Sequence, residues 1–497
     1  MPLHKKGPTN QPGNYRGISL LSIPGKVYAM VLLRRMAAQM ESKLREAQCG
    51  FRPGRGTVDA MFVLRQLMSK CVQYRKRLSI AFIDLAKAYD TINRHALWQV
   101  LTCCGVDSKL VDLLKDLHTG TRAAVMLDGE VGEWFEVTSV VRQGCVIAPM
   151  LFNIFMDFVL KEALARMPGG CGVCVEFRGK GGSVMMGVGD PALHLAVLLY
   201  ADDMALMSHD PEELARMLSI MDGVMLEYGL LINAGKTEIM HINPVCASND
   251  QPPTVVLSGG EVKVVDVFKY LGGWLQVNGS CEKEIGCRMG RAVGVFQKFN
   301  GVWGNRHLRL RDKVAVYRAF VLPHLLYGAE TWNHTQAQLR QLEVVHSTCM
   351  RCMLGVRRSE HCRLEHIRAE CGLPPLELII AKRTMQWLGH VLRMEPHRYP
   401  AIALLCTPAN GTMARGRPRQ THEHTYQHIW DRVGIKNADL ATVHGLAQDR
   451  LGWRKRVREL QIAAPAPSVP TRVQPPCECR IRSSAGVAGM ACQLSVG

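Results

Sequence analysis

Residues 195–210, LAVLLYADDMALMSHD, set Asp202 and Asp203 side by side between two strongly apolar runs. The runs suit a pleated, buried surface, so the stretch predicts two strands joined by a tight turn with the acids at its tip. Acids are ordinary in a hairpin turn, and on that reading alone the pair has no chemistry. Like charges held between core strands are costly, however, unless a cation neutralises them.

The rest of the chain narrows the choice. Its 497 residues allow two to four domains, and 47% hydrophobic residues can supply proper cores. No stretch approaches the eighteen or so uncharged apolar residues of a membrane span, and the opening MPLHKKGPTNQPGNYRG lacks the apolar centre of a secretory signal. The 18 cysteines are scattered singly rather than in a disulfide-framework pattern. These features predict an intracellular protein without membrane contact, nuclear in preference to cytoplasmic. A formal charge of +18 implies an anionic partner. Residues 281–460 hold 29 Lys and Arg against 15 Asp and Glu, so most of the excess lies there.

Apolar spacing predicts helices over KVYAMVLLRRMAAQMESKL and VDAMFVLRQLMSKCVQYRKR, with the Gly/Arg loop CGFRPGRGT between them. LSIAFIDL reads as a strand, LFNIFMDFVLKEALARM as a helix, residues 168–191 as a glycine-rich loop or loose hairpin, and GLLINAGKTEIMHI as a strand. From residue 281 the pattern is mainly that of basic helices. Residues 461–497 have linker composition and are expected to be disordered.

Two acids make a poor divalent-metal site, because Mg2+ prefers an octahedron of hard oxygens. Asp84 supplies a third carboxylate: it ends the strand LSIAFIDL, where a side chain can reach across a sheet toward the turn of a neighbouring hairpin. Two metals about 4 Å apart between such acids would activate an attacking hydroxyl and stabilise a leaving oxygen, the chemistry of nucleotidyl transfer.

The blocks FIDLAKAYD, RQGCVIAPMLFNIFMD, YADD, GLLINAGKTEIM and FKYLGGWL resemble, in order and approximate spacing, the palm motifs of reverse transcriptases. HKKG, NYRGISLLS and GFRPGRGT resemble fingers motifs of non-LTR (LINE-type) retrotransposon enzymes. VYRAFVLPHLLYGAETW, RTMQWLGHVLRM and RGRPR resemble the thumb and basic C-terminal region of LINE-like polyproteins, so the likeness spans roughly residues 1–430. It implies an α+β right-hand polymerase with a basic, mainly helical C-terminal region. The expected domains are fingers at 1–79, incomplete at the N-terminus, palm at 80–280, thumb at 281–375 and a basic nucleic-acid-binding region at 376–460.

The resemblance also implies roles. Asp84 and Asp202 are the principal ligands of two Mg2+ ions, with Mn2+ as a substitute, and Asp203 is a third catalytic carboxylate with a less direct part. Tyr89 lies under the incoming sugar, where its ring would collide with a 2′-hydroxyl. Gln143 lies against the incoming nucleotide and template, and Gly144 allows close backbone approach. Lys236 donates a proton to the leaving pyrophosphate. Arg16 and Lys5 or Lys6 clamp the triphosphate, and Arg52 and Arg55 are further cations for template or nucleotide phosphates. The partners implied are an RNA template, a DNA primer or target and dNTPs. An inactive retrotransposon relic that only binds nucleic acid is the alternative, and an intron-maturase-like RNA chaperone is disfavoured by the LINE-like C-terminal blocks. Cys349-x2-Cys352, with His361, Cys362 and His366 nearby, has zinc-like spacing but falls on a helical pattern.

Overall fold

Leu78–Ile83 is buried along its whole length, as expected of a strand covered on both faces. The computed structural model describes residues 1–5, 7–137, 144–177, 192–243, 252–413, 421–432, 435 and 440–460. Contacts divide it into two units. In described residues the first comprises 1–177, 192–271 and 397–413, and the second 272–396 and 421–460.

The first unit is built on a sheet of five strands: β1 (Leu78–Ile83), β2 (Val197–Tyr200), β3 (Asp203–Ser208), β4 (Glu238–Ile242) and β5 (Lys263–Val264). Their order across the sheet is β5-β4-β1-β3-β2, and only the β4–β5 pair is parallel. Among the helices of this unit are α1 (Ile23–Met40), α2 (Thr57–Gln73), α3 (Ala148–Arg166), α4 (Pro211–Glu227) and α5 (Tyr399–Leu405). Alternate strand residues Ala81, Ile83, Met204, Leu206 and Ile239 enter one core with Leu151 and Phe155 of α3 and Met217 and Met221 of α4. Ile80, Phe82, Leu198 and Met207 point the other way and are also buried, on the side that α2 covers. Asp210 starts α4 by accepting from the Glu212 and Glu213 amides, with Pro211 in the first turn.

The run LHLAVLLY, whose last six residues form the first of the two predicted strands, is divided between two sheets. Ala192–Leu195 pairs with Val173–Glu176, and Val197–Tyr200 is β2 of the main sheet. Thr407–Pro408 extends the smaller sheet along Val173–Glu176. Residues 397–413, expected in the basic C-terminal region, thus pack within the first unit. Lys70 of α2 caps the C-terminal end of α5, donating to the carbonyls of Ala403 at 2.7 Å, Leu404 at 2.8 Å and Cys406.

The second unit is mainly helical among its described residues. Helices Glu282–Lys298, Gln336–Leu354 and Leu376–Val391 share a core that includes Ile285, Phe296, Tyr317, Trp332, Leu342 and Ile380. The helix carrying Cys349 and Cys352 begins with a Thr335/Gln338 capping box and ends at Gly355 in the left-handed region. No helix among the described residues is long and apolar enough to cross a membrane.

Candidate active site

Tyr200 pairs with Asp203, so the predicted hairpin has a two-residue turn, Ala201-Asp202. Ala201 takes φ +59°, a left-handed conformation that costs a non-glycine residue about 1 kcal/mol. The strand register explains why Asp84 meets this turn. β1 and β3 pair antiparallel as far as Ile83 and Met204, and one further step sets Asp84 beside Asp203. On the other side β1 pairs with β4 as far as Phe82 and Glu238, and the same extension directs Asp84 toward Lys236. Lys236 Nζ donates to Asp84 Oδ2 at 3.1 Å. The turn at 233–237 is itself tied to Asp84, whose carbonyl accepts from the Asn233 amide at 2.8 Å.

Around this junction lies a cavity of about 400 Å³ lined by Lys5, Arg16, Asp84, Tyr89, Asp202 and Lys236, together with Lys87, Asp90 and Asn233. Six residues nominated from distant sequence blocks therefore line one space. Arg16 reaches it from the strand Tyr15–Gly17, which pairs with Pro2–His4, and Lys5 follows that partner strand. Tyr89 sits in the short helix Ala88–Thr91, its ring stacked on Phe152 of α3 at 4.3 Å between centroids. Burial raises the Tyr89 hydroxyl's pKa, the Asp202 charge adds to this, and Arg16 opposes it. The ring is thus a neutral wall.

The carboxylates are electrostatically crowded. Asp203 is pushed up to about 6, chiefly by burial, then by Asp202 and Asp84. Asp202 is also raised, by burial and by Asp84, against the pull of its own backbone hydrogen bond and Arg16. Hard oxygen donors gathered beside one another suit a divalent cation, so Asp84, Asp202 and Asp203 fit Mg2+ by donor chemistry. The arrangement is not a ready-made coordination shell. Among the described residues no three His, Cys, Asp or Glu side chains already converge on a metal position, and Asp84 Oδ2 is engaged by Lys236. Asp203 does not line the cavity.

Three of the other nominations, Arg52, Arg55 and Gly144, end elsewhere. Arg52 and Arg55, expected to face phosphates, are turned inward. Arg52 donates to Glu41 at 2.9 Å and to the carbonyls of Arg45 and Gln48, while Arg55 is ion-paired with Glu46. Their side chains are only 4% and 9% exposed, which leaves them no route to a nucleic-acid strand. The reason is local. The loop between α1 and α2 turns its polar backbone and carboxylates toward these arginines, which bond it together from inside. Lys6 and Gln143 lie outside the described residues. Gly144 has φ +110°, and a Cβ there would lie 2.4 Å from the Ser19 carbonyl oxygen, so its close backbone approach is to the chain's own NYRGISLLS segment.

Sequence reasoning missed Asn233 and Gln48. Asn233 lies inside a quoted block and could have been found as the polar residue of a strand-to-turn boundary. Gln48 is 2% exposed, and its Oε1 accepts from the amides of Gly50 at 2.8 Å and Ala201 at 3.0 Å. No local pattern marks it, because its partner is 153 residues away.

The family described as Reverse transcriptase (RNA-dependent DNA polymerase) matches residues 3–275. The Retrovirus-related Pol polyprotein from type-1 retrotransposable element R2 of Popillia japonica is 23% identical over 415 residues, 82% of this chain and 54% of that protein. The RNA-directed DNA polymerase from mobile element jockey of Drosophila funebris is 23% identical over 362 residues, 70% of this chain and 37% of that protein. The chain thus spans about half the length, or less, of these two relatives. Among solved structures, telomerase from Candida albicans in complex with a fragment of telomeric RNA aligns over 69% of this chain and 56% of that one, at 12% identity and a TM-score of 0.37.

Proposed function

The chain belongs to the reverse transcriptase (RNA-dependent DNA polymerase) family, and from that premise we propose that it extends a primer 3′-hydroxyl on an RNA template with dNTPs, in the retrotransposition of a non-LTR element. The observation that carries this reading is the single cavity in which Asp84 and Asp202 face Lys5, Arg16, Lys236 and Tyr89.

In the reaction the primer 3′-hydroxyl gives up its proton to solvent water, a bond forms between the 3′-oxygen and the α-phosphorus, the α-phosphorus bond to the bridging oxygen breaks, and pyrophosphate leaves. Mg2+, two ions or Mn2+ in their place, held by Asp84, Asp202 and Asp203, would lower the hydroxyl's pKa and neutralise the leaving charge. The chain's own residues do the rest. Arg16 and Lys5 give the cavity the positive wall that attracts and orients a triphosphate. Tyr89, held flat by Phe152, excludes a sugar carrying a 2′-hydroxyl. Lys236 holds a proton on Nζ at the rim of the cavity, where a leaving pyrophosphate oxygen can take it. Template base pairing selects the base, so the cavity needs no base-reading group.

Primer extension on an RNA template with Mg2+ and dNTPs, run beside Asp202→Asn, tests this. Metal-dependent synthesis that the substitution abolishes is the expected result. RNA binding that is salt-sensitive, with no synthesis from the unaltered chain, would overturn it in favour of the inactive relic.

A further inference from the structure

The turn that carries Asp202 is held from outside the sheet. Residues 47–50 run along the free edge of β2: the Leu199 amide donates to the Ala47 carbonyl and the Cys49 amide to the Leu199 carbonyl, each at 2.8 Å. This parallel bridge continues the sheet by one short strand at the end nearest the acids. Along this outer edge the backbone pairing stops at Leu199, and the Ala201 amide meets a side chain instead. Gln48 Oε1 takes it, at 3.0 Å, while also accepting from the Gly50 amide at 2.8 Å. One side-chain oxygen thereby joins the loop to the turn at the residue whose backbone is left-handed.

Gly50 completes the contact. A Cβ at that position would lie 2.4 Å from the Ala201 nitrogen and 3.0 Å from the Tyr200 carbonyl carbon, so only glycine lets the two backbones meet. The loop is rigid enough to act as a brace. Asn153 of α3 donates to the Gly50 carbonyl at 2.8 Å, Asp157 accepts from the Arg45 amide at 3.0 Å, and Arg52 donates to the Arg45 and Gln48 carbonyls. Arg52, turned inward, thus holds the backbone of the segment that carries Gln48.

We propose that Gln48 is a positioning residue for Asp202, setting the Ala201-Asp202 turn through the Ala201 amide so that the Asp202 carboxylate faces Asp84 across the cavity. Gln48 does not line the cavity and acts only through the turn. The proposal deepens the polymerase reading and rests on it for the kinetic consequence, but not for the structural one.

The test uses the full chain with Gln48→Met, which keeps the volume and removes the acceptor, and Gln48→Asn, which draws the amide back by one methylene. The direct readout is hydrogen exchange at the Ala201 amide without metal. Protection there should fall at least about 10-fold in Gln48→Met while the amides of Met204–Met207 within β3 keep theirs. In primer extension, kcat should drop on the order of 10- to 100-fold with the KM for dNTP within about 2-fold, because a small misplacement of a reacting group has that effect. The Mg2+ concentration for half-maximal rate should rise in parallel, and Gln48→Asn should fall between the other two. Unchanged Ala201 protection in both variants overturns the proposal, as does lost protection with an unchanged kcat. If the unaltered chain makes no DNA, the polymerase reading fails by itself, and exchange at Ala201 still decides whether Gln48 holds the turn.

Discussion

Lys236 Nζ lies 3.1 Å from Asp84 Oδ2, joining two residues 152 positions apart that lie just beyond the paired ends of adjacent strands. Both side chains are substantially exposed, at 65% and 37%, so the pair contributes less than about 1 kcal/mol to stability. Its importance lies in competition, since the ammonium occupies an oxygen that a metal would need. Lys236→Met should therefore leave Tm within about 2 °C, lower the Mg2+ concentration for half-maximal primer extension, and reduce kcat about 10- to 100-fold through loss of the proton donor. A variant with unchanged kcat would remove Lys236 from the chemistry and leave it a counter-ion only.

The crowding of Asp203 predicts a pH dependence with a definite sign. Its carboxyl, raised to about 6 in the folded chain from an ordinary value near 4, contributes stability that is complete below that ordinary value. The contribution is lost as pH rises through 6, where folding must hold an ionised acid beside Asp202 and Asp84. Asp203 keeps one side open to solvent, so screening holds the effect to about 1 kcal/mol or less. In metal-free protein, Asp203→Asn should be more stable than the unaltered chain at pH 7–8 and indistinguishable from it near pH 4. Adding Mg2+ at pH 7–8 should stabilise the unaltered chain selectively. Paired thermal melts across that range check both statements, and a difference that grows toward acid would contradict them.

Where the sequence was legible, the relevant information was local or periodic. The hairpin at 197–208, the strand leading into Asp84 and the helices on either side follow from apolar spacing and turn chemistry, and each is present. The meeting of Asp84 with Asp202 and Lys236 was legible only through ordered blocks, since no local pattern predicts strand register. The fate of Arg52 and Arg55 was not legible, because a Gly/Arg loop has the same composition whether its cations face phosphate or the loop's own carbonyls. Gln48 was hidden for the same reason: its function depends on a backbone amide, and amides carry no sequence signal. The break of LHLAVLLY at Ala196 is also non-local, fixed by two sheets competing for one apolar run.

Tyr89 offers a test of shape against chemistry. Its ring is stacked on Phe152 with planes 18° apart, which prevents it from swinging away when a bulkier sugar enters. Tyr89→Phe should retain discrimination against ribonucleotides, because the ring remains. Tyr89→Ala should relax it at least about 10-fold, since only the side chain's bulk opposes the 2′-hydroxyl. Phe152→Leu should give a partial loss by freeing the ring. Competition between dNTP and rNTP in primer extension measures all three, and unchanged selectivity in Tyr89→Ala would remove the steric role.

Arg16 and Arg52 carry the same charge and should fail differently. Arg16 is exposed at the cavity, and its field reaches both Asp202 and Tyr89. Its removal should raise the KM for dNTP about 10-fold, in line with loss of a charge-assisted phosphate contact, and leave Tm within about 2 °C. Arg52 is buried, paired with Glu41 and bonded to three backbone carbonyls. Replacing it with Ala strands those acceptors and leaves Glu41 without its partner, a loss of about 3 kcal/mol or more and a clear drop in Tm. Because the same side chain fixes the loop that holds the Ala201 amide, Arg52→Ala protein that remains folded should lose kcat rather than dNTP affinity. Thermal melts beside steady-state kinetics separate the two arginines. A KM effect at Arg52 with unchanged Tm would restore it to the phosphate-facing role that its Gly/Arg loop first suggested.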